Sequence, residues 1–482
     1  MPGSSDRTVR ALPAPPSDGL PDGFAVRLGR RVRVDDGGLT LIGGAPTRVL
    51  YLKPRAAALL SDRTLTVSNV GTRALAERLL DAGMADPVLS SLPPVDVAAV
   101  TFVIPVYGRP GALDRLLSSL PDGSRTIVVD DLSPDRDAIV RVARRHGAVL
   151  VLLEVNGGPA RARNEGLRQV TTPFAAFADT DIVIDDDTVA ALLTHFADPR
   201  VALVAPRVHG LQDSSELNWI GKYEQARSSL DLGPDPALVR QRSPVSWVPA
   251  AFLIARVAAV GAGFSAEMRE GEDVDLVWRL ADGGWRIRYE PEAAVWHEHR
   301  QTLIAWLSRK AFYGSSAHPL AVRHHHDVAP AVLAPWNIGV IGALLAQRRW
   351  SLPVAGSIAA VTAWRVSRKL SRSKHPFQQA ARLTASGVGS SLVQTTALLV
   401  RHWWPVALLL SIVSPRIRRA LIVSAVVDAG IEWVRLRPDL DPVRFGVARR
   451  LDDLAYGAGV WWSALKGRSL RGVLPYVRRH DS

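Results

Sequence analysis

Asp179 and Asp181, separated only by Thr180, interrupt an apolar stretch that reads FAAFADTDIVID from Phe174 to Asp185. If FAAFA is a buried strand, both carboxylates emerge where it ends, and strand ends are where open α/β sheets bind ligands. Two hard oxygen ligands at that place suit Mg²⁺ or Mn²⁺ carrying a diphosphate; a solvated turn is the plain alternative. A second acidic group, Glu272, Asp273 and Asp275 in GEDVDLVWRL, precedes a helical pattern made by Leu276, Val277 and Leu280. A helix N-terminus favours an ionised Asp273, and such a carboxylate can take the proton of an attacking hydroxyl. Third, RIRYEPEAAVWHEHR reads as a strand running into His297-Glu298-His299. Those two imidazoles could share a cation or simply be polar residues leaving a strand. The adjacent His324, His325 and His326 diverge, and a surface loop is expected there.

Positioning these groups requires a sheet. Ala98 to Pro105, AAVTFVIP, is a β-branched apolar run ended by proline, as a central parallel strand should be. VYGRPGALDRLLSSL follows with Leu113, Leu116, Leu117 and Leu120 on one helical face. Thr126 to Asp131, TIVVDD, is a second buried strand ending in Asp130 and Asp131; a helix beginning near Asp135 and a third strand, AVLVLLEV, complete β-α-β-α-β. Neither G-x-G-x-x-G nor G-x-x-x-x-G-K-[ST] occurs, which argues against a dinucleotide dehydrogenase or a P-loop enzyme, so diphosphate binding must use a metal. In NGGPARARNEG, Asn156 to Gly166, the glycines allow close approach, Pro159 suits a helix start, and arginines in the first turns favour an anion. PVSWVPAAFLIA, Pro244 to Ala255, reads as a strand and loop in which Trp247 could stack on a sugar or be buried.

Bulk properties bound the rest. Length alone, 482 residues, suggests about three folding units. The absence of cysteine excludes disulfides, thiolate zinc sites and a cysteine nucleophile. A net charge of +13 and a pI near 10.6 concentrate late, in RRWSLP, RVSRKLSRSK and RIRRA among apolar segments and tryptophans. That pattern favours an anionic membrane surface and excludes nucleic acid as a partner. Residues 1–23 are Pro, Ser and Gly rich and are expected to be a disordered leader without a signal peptide. Residues 24–94 are expected to form three short strands, with a hairpin at Asp35-Asp36-Gly37-Gly38, and then helices, one capped by Thr72 and stopping near Gly83. Residues 98–327 hold the nucleotide-binding core. Residues 328–482 turn apolar, and Val328 to Ala346 is long enough to span a membrane if tilted. Monotopic or shallow multi-pass attachment is expected there, with a soluble helical domain as the alternative; Asp428 in the last run supports helices packed on protein.

VIPVYGRP at 103–110, VVDDLSPD at 128–135, NGGPARARNEG at 156–166, ADTD at 178–181 and GEDVDLVWRL at 271–280 occur in the order of the inverting family 2 glycosyltransferases of the GT-A fold, which the core resembles. The resemblance implies a Rossmann-like, mixed or parallel sheet, a nucleotide-sugar donor and a divalent metal, Mg or Mn. It implies that Pro105, Tyr107 and Asp131 flank the uridine, and that Arg109, Asp130, Asn156, Gly158 and Arg163 belong to the donor side. Asp181 would hold the metal with Asp179 near ribose or metal, and Asp273 would be the base. Trp247 and Glu272 would line the acceptor side, and His297 would be an additional metal ligand, with His299 the runner-up. The Q-x-x-R-W block of processive synthases is missing, which favours transfer of one or a few sugars. Residues 24–94, through the hairpin and Leu52-Lys53-Pro54-Arg55-Ala56-Ala57, resemble the small winged-helix-like α+β peptide-recognition domain of the PqqD type; a capping domain is the alternative. The three-part layout, ending in an apolar α-helical region, resembles the actinobacterial glycosyltransferases of the mycofactocin system. That likeness implies UDP-glucose as donor, a peptide-derived redox cofactor or its precursor as acceptor, β-linked glucose as product, and a cytoplasmic membrane face as location. An enzyme of cell-envelope lipid or polysaccharide and a non-catalytic precursor-binding scaffold are the competing expectations.

Overall fold

The structure, a computed structural model, describes residues 12–60 and 62–477. Two compact units divide it: one runs to Gln212 and resumes at Ser228–Glu298, the other comprises Asp213–Arg227 and the chain from His299. The second unit thus takes up the chain at His299, ahead of the composition change at Val328.

In the first unit the chain opens with β1 (Ala25–Leu28), β2 (Arg33–Asp35), β3 (Thr40–Gly43), β4 (Arg48–Tyr51), the short α1 (Pro54–Ala58), β5 (Thr64–Thr66), α2 (Val70–Asp81) and β6 (Ala85–Pro87). The expected hairpin is present, β2 pairing β3 antiparallel across Asp36–Gly38, but six strands form two small sheets, β5-β1-β6 and β2-β3-β4, where three strands were expected. Leu79 and Leu80 are fully buried against Val26, Leu41 and Leu65. Thr72 is not the cap of α2. Asn69 caps it, taking the Thr72 amide at 3.0 Å, while Thr72 Oγ1 returns a contact to the Asn69 amide at 3.0 Å. Of the expected leader, residues 1–11 lie outside the described residues. Residues 12–23 are not loose: Leu20 is buried in the same core and the Trp285 indole donates to the Pro13 carbonyl at 2.7 Å.

The core follows as β7 (Val100–Val106), α3 (Pro110–Ser118), β8 (Arg125–Asp130), α4 (Arg136–Arg145), β9 (Val149–Leu152), α5 (Pro159–Leu167), β10 (Phe174–Ala178), β11 (Ile182–Ile184), α6 (Asp186–Thr194) and β12 (Val201–Gly210). After α7 (Trp219–Arg227), which belongs to the second unit, come β13 (Ala237–Leu238), β14 (Phe252–Arg256), α8 (Val257–Val260), α9 (Glu272–Asp282) and β15 (Arg286–His297). The main sheet runs β11-β15-β12-β14-β10-β7-β8-β9, with β13 beside β15. β10, β7, β8 and β9 are parallel, whereas β14 is antiparallel to both its neighbours, so the sheet is mixed. Buried on both faces, β8 sends Val128 toward α3 and α4 while Ile127 and Val129 meet α5 on the other side. α5 can lie close because Gly166 faces the sheet; a Cβ there would run into Val103 and Val129.

β15 also fastens the small sheets to the core. Arg286, almost wholly buried, reaches Asp198 at 2.8 Å and Asp81 at 2.9 Å, and Arg288 reaches Asp86 at 2.5 Å. Those pairs tie one end of β15 to α2 and β6, while its other end carries His297.

The second unit holds α10 (Leu303–Ser315), α11 (Ala317–His324), α12 (Pro335–Leu345), α13 (Ser351–Lys369), α14 (Pro376–Ala397), α15 (Trp404–Val413), α16 (Pro415–Leu436) and α17 (Pro442–Lys466), with β16 (Val332–Leu333) paired to β17 (Tyr476–Val477). The expected loop at His324 to His326 is instead the end of α11 and a 3₁₀ turn. Val328 to Ala346 is not one span: β16 interrupts it and α12 has 11 residues, about 16 Å of helix against a hydrocarbon thickness of about 30 Å. Pro376–His402 is the stretch, among the described residues, long and apolar enough to cross a membrane by length and composition. Within the unit a buried ionic network packs α7, α10 and α17. Lys310 Nζ meets Glu224 at 2.8 Å, Arg401 meets Asp453 at 2.8 Å, and the Tyr223 hydroxyl donates to Asp452 at 3.0 Å. Asp428 pairs with Arg449 and Arg450, as an aspartate in a helix packed on protein should.

Candidate active site

Most of the expected site residues fall at a strand end or helix start; Arg163 lies within α5 and Trp247 in a loop. Asp179 and Asp181 occupy the turn between β10 and β11; the Asp179 amide donates to the Ala251 carbonyl at 2.9 Å and the Asp181 carbonyl accepts from the Glu298 amide at 3.0 Å. β11 pairs antiparallel with β15, Ile182 opposite His297, and this register sets His297 Nε2 3.5 Å from Asp181 Oδ1. The other Asp181 oxygen is 2.8 Å from Arg109, whose second nitrogen is 2.8 Å from Glu298; Arg115 also reaches Glu298, at 2.9 Å. Burial alone would raise the Asp181 carboxyl, but His297 and Arg109 outweigh it and hold the group below the usual carboxylate range.

Arg163 joins this turn to the second acidic group. From the inner face of α5 it donates to Asp179 at 2.6 Å and to Glu272 at 2.9 Å, with its guanidinium 5.2 Å from the centre of the Phe264 ring. Its side chain is 4% exposed. Burial pushes the Asp179 carboxyl up, the Asp181 charge adds to this, and Arg163 opposes it. Asp273 is the second residue of α9: its oxygens accept from the Val274 amide at 2.8 Å and the Ala250 amide at 3.3 Å. Burial, then the neighbouring Glu272 charge, push the Asp273 carboxyl up to about 7 against those two amides and Arg163. The sequence argument for a dipole-favoured, fully ionised Asp273 is thus outweighed by desolvation. Trp247 is half-buried in the loop before β14, which the Trp278 indole holds through the Ser246 carbonyl at 2.7 Å.

The third cluster is at β8. Asp131 accepts the Gly157 and Gly158 amides, each at 2.8 Å, and its carbonyl takes Asn156 Nδ2 at 2.9 Å, so the glycine turn is folded around one carboxylate. Asp130, expected on the donor side, is instead wholly buried and satisfied by the Ser133 amide at 3.1 Å and Arg136 at 2.8 Å. Pro105 is half-buried near the end of β7, and Tyr107 is 58% exposed beyond it. His299, the alternative to His297, falls in the second unit, with Nε2 3.1 Å from Gln225 Oε1. Glu298, Arg115 and Phe264 were not foreseen. Glu298 stood between two candidate ligands, but nothing in the sequence marks its meeting with an arginine 189 positions earlier.

Two family models match the chain: glycosyl transferase family 2 over residues 101–242 and glycosyl transferase family group 2 over residues 176–434. The pre-mycofactocin glycosyltransferase of Mycobacterium tuberculosis is 42% identical over 478 residues, covering 95% of this chain and 99% of that protein. The poly-beta-1,6-N-acetyl-D-glucosamine synthase of Staphylococcus aureus is 24% identical over 47% of this chain and 57% of its own length. Among solved structures, a mannosyltransferase from Pyrobaculum calidifontis in complex with GDP-Man and Mn²⁺ overlays with a TM-score of 0.35 at 18% identity, covering 63% of this chain and 89% of that one. With a mixed α/β sheet, acidic groups gathered at its strand ends, and 42% identity over nearly the whole of both proteins, the chain is a family 2 glycosyltransferase and belongs with the pre-mycofactocin glycosyltransferases.

Proposed function

We propose that this enzyme transfers glucose, with inversion, from UDP-glucose to a hydroxyl of a mycofactocin-type peptide-derived precursor. The observation that carries the chemistry is the Arg163 bridge, which joins Asp179 to Glu272 and so brings the metal-type turn beside Asp273. The acceptor rests on the full-length likeness to the pre-mycofactocin enzyme. Asp273 takes the hydroxyl proton as that oxygen bonds to the sugar C1, while the bond from C1 to the diphosphate breaks on the opposite face. Asp131, through the Asn156–Gly158 turn, shapes the donor wall, with Pro105 and Tyr107 flanking the uridine. Trp247 and Glu272 lie on the acceptor side.

Asp181 and His297 fit a divalent cation, Mg or Mn. Their facing atoms are 3.5 Å apart, close to the ~3 Å between two ligands of one octahedral ion, and Asp181 is held ionised. Among the described residues no group of three or more such side chains could hold an ion. A cation held by Asp181 and His297 would take substrate phosphate and water as its remaining ligands. Once bound, the ion supplies positive charge to the departing diphosphate.

We assign residues 24–94 a peptide-recognition or capping part. The second unit is assigned to the cytoplasmic membrane face, supported by the exposed apolar side chains of α15 and α16, among them Leu409, Ile412, Val413, Val426 and Ile431, beside exposed Arg416, Arg418 and Arg419.

Incubation with UDP-glucose and the precursor should add hexose mass to the precursor, read by mass spectrometry. Hexose appearing only on lipid would overturn the acceptor assignment. In vesicle flotation, wild-type protein should rise with anionic liposomes, and Leu409→Glu with Ile412→Glu should reduce the floating fraction several-fold. An unchanged fraction would remove those helices as the attachment surface.

A further inference from the structure

Arg109 is built into an uncommon backbone state. Its φ of 58° and ψ of 51° are left-handed, although it is neither glycine nor asparagine and is followed by Pro110, which disfavours helical conformations in the residue before it. A conformation of that kind persists where surrounding contacts over-determine it. Here they are two carboxylates: one guanidinium nitrogen is on Asp181 and the other on Glu298, both at 2.8 Å. Arg115 donates to the same Glu298 oxygen at 2.9 Å, so two arginines and two acids close a neutral group.

This arrangement spends one Asp181 oxygen on an internal cation at the place where a metal would take it. A dication entering alone must either displace the guanidinium or share a carboxylate with it at close range, and like charges there repel. A diphosphate changes the balance, because it gives a guanidinium a doubly hydrogen-bonded anionic partner and releases Asp181. Arg109 is 46% exposed at the side chain, so it has room to turn while Glu298 and Arg115 keep their own pair. We propose that Arg109 is a displaceable stand-in cation: without donor it neutralises Asp181, and the metal gains that carboxylate together with the diphosphate that takes Arg109 over. Glu298 is its positioning residue. By linkage, metal and nucleotide must then raise each other's affinity by the same factor. The inference rests on the reading of Asp181 as metal ligand.

The test is Mn²⁺ binding to the full chain, followed by the loss of the free-ion paramagnetic resonance signal, with and without UDP and independent of turnover. Wild-type enzyme should bind Mn²⁺ weakly alone and more tightly with UDP. Arg109→Gln should tighten UDP-free Mn²⁺ binding about tenfold, the scale of one lost competing contact, and shrink the effect of UDP. Arg115→Gln, which removes the same charge one contact further away, should change it less than about twofold. Equal tightening by both variants would mean general electrostatics, and unchanged affinity in Arg109→Gln would mean no competition; either result overturns the proposal. Asp181→Asn distinguishes the underlying reading, because Mn²⁺ binding that survives it removes Asp181 as the ligand whatever Arg109 does.

Discussion

Asp273→Asn is expected to lower the rate of sugar transfer by about 10²–10⁴-fold while leaving donor binding within a few-fold of wild type. Asparagine keeps the shape, but its single carbonyl oxygen can accept from only one of the Ala250 and Val274 amides, which meet different oxygens of the aspartate, and it cannot take a proton. The pH profile should identify the group. The wild-type carboxyl titrates near 7, so kcat/KM should fall about tenfold per unit below that value as the base becomes protonated, and the residual rate of the variant should be flat. Stability should move the other way. A carboxyl raised from 3.8 to about 7 in the native state contributes stability that is complete below about pH 4 and is lost as pH rises to about 7. At pH 8 the buried charge is therefore a cost that asparagine removes, and Asp273→Asn should melt above the wild type. Transfer by the variant at more than about a tenth of the wild-type rate would remove Asp273 as the base.

How much of this site was legible depends on how local the signal is. Asp179 and Asp181 could be read because an apolar strand stops at them, and the strand-to-turn geometry follows from five consecutive residues. Asp273 could be located for the same reason, at the head of an amphipathic helix. Its protonation could not, because burial raises it and, beside the adjacent Glu272, the opposing Arg163 charge and Ala250 amide arrive from distant parts of the chain. Asp130 and Asp131 are the last two residues of TIVVDD, and both were expected on the donor side. Strand alternation separates them: one carboxylate turns inward to Arg136 and the other to the glycine amides. Thr72 and Asn69 both have cap chemistry three residues apart, and the capping box uses both, which single-residue preference does not resolve. The parallel β-α-β-α-β part of the sheet was legible from apolar runs and their helical spacers, whereas the antiparallel direction of β14, which makes it mixed, was not. The apolar third was misread where hydropathy outran geometry, since Val328 to Ala346 is continuous in composition yet interrupted by β16.

Arg163→Leu should have the second large effect, on stability and transfer together. The arginine is 4% exposed and its partner Glu272 is 11% exposed, so removing the cation strands a carboxylate in a site with little water. Loss of one partner of such a buried pair costs about 3–5 kcal/mol. Asp179 adds less, because its side chain is 37% exposed and solvent screens it. The same change frees the turn carrying Asp179 from the helix start carrying Glu272 and Asp273, so both ends of the reacting geometry lose their common support. A misplacement of about 1 Å in such a site costs on the order of 10²-fold in rate. Arg163→Lys separates the two consequences. A lysine ammonium keeps the charge and can offset one carboxylate, but it lacks the planar fork that spans both. It should therefore recover much of the melting temperature and little of kcat. If Arg163→Leu melts with the wild type and transfers sugar at the wild-type rate, the bridge neither holds the fold nor aligns the site. If Arg163→Lys restores rate as fully as stability, charge alone is required and the forked geometry is not.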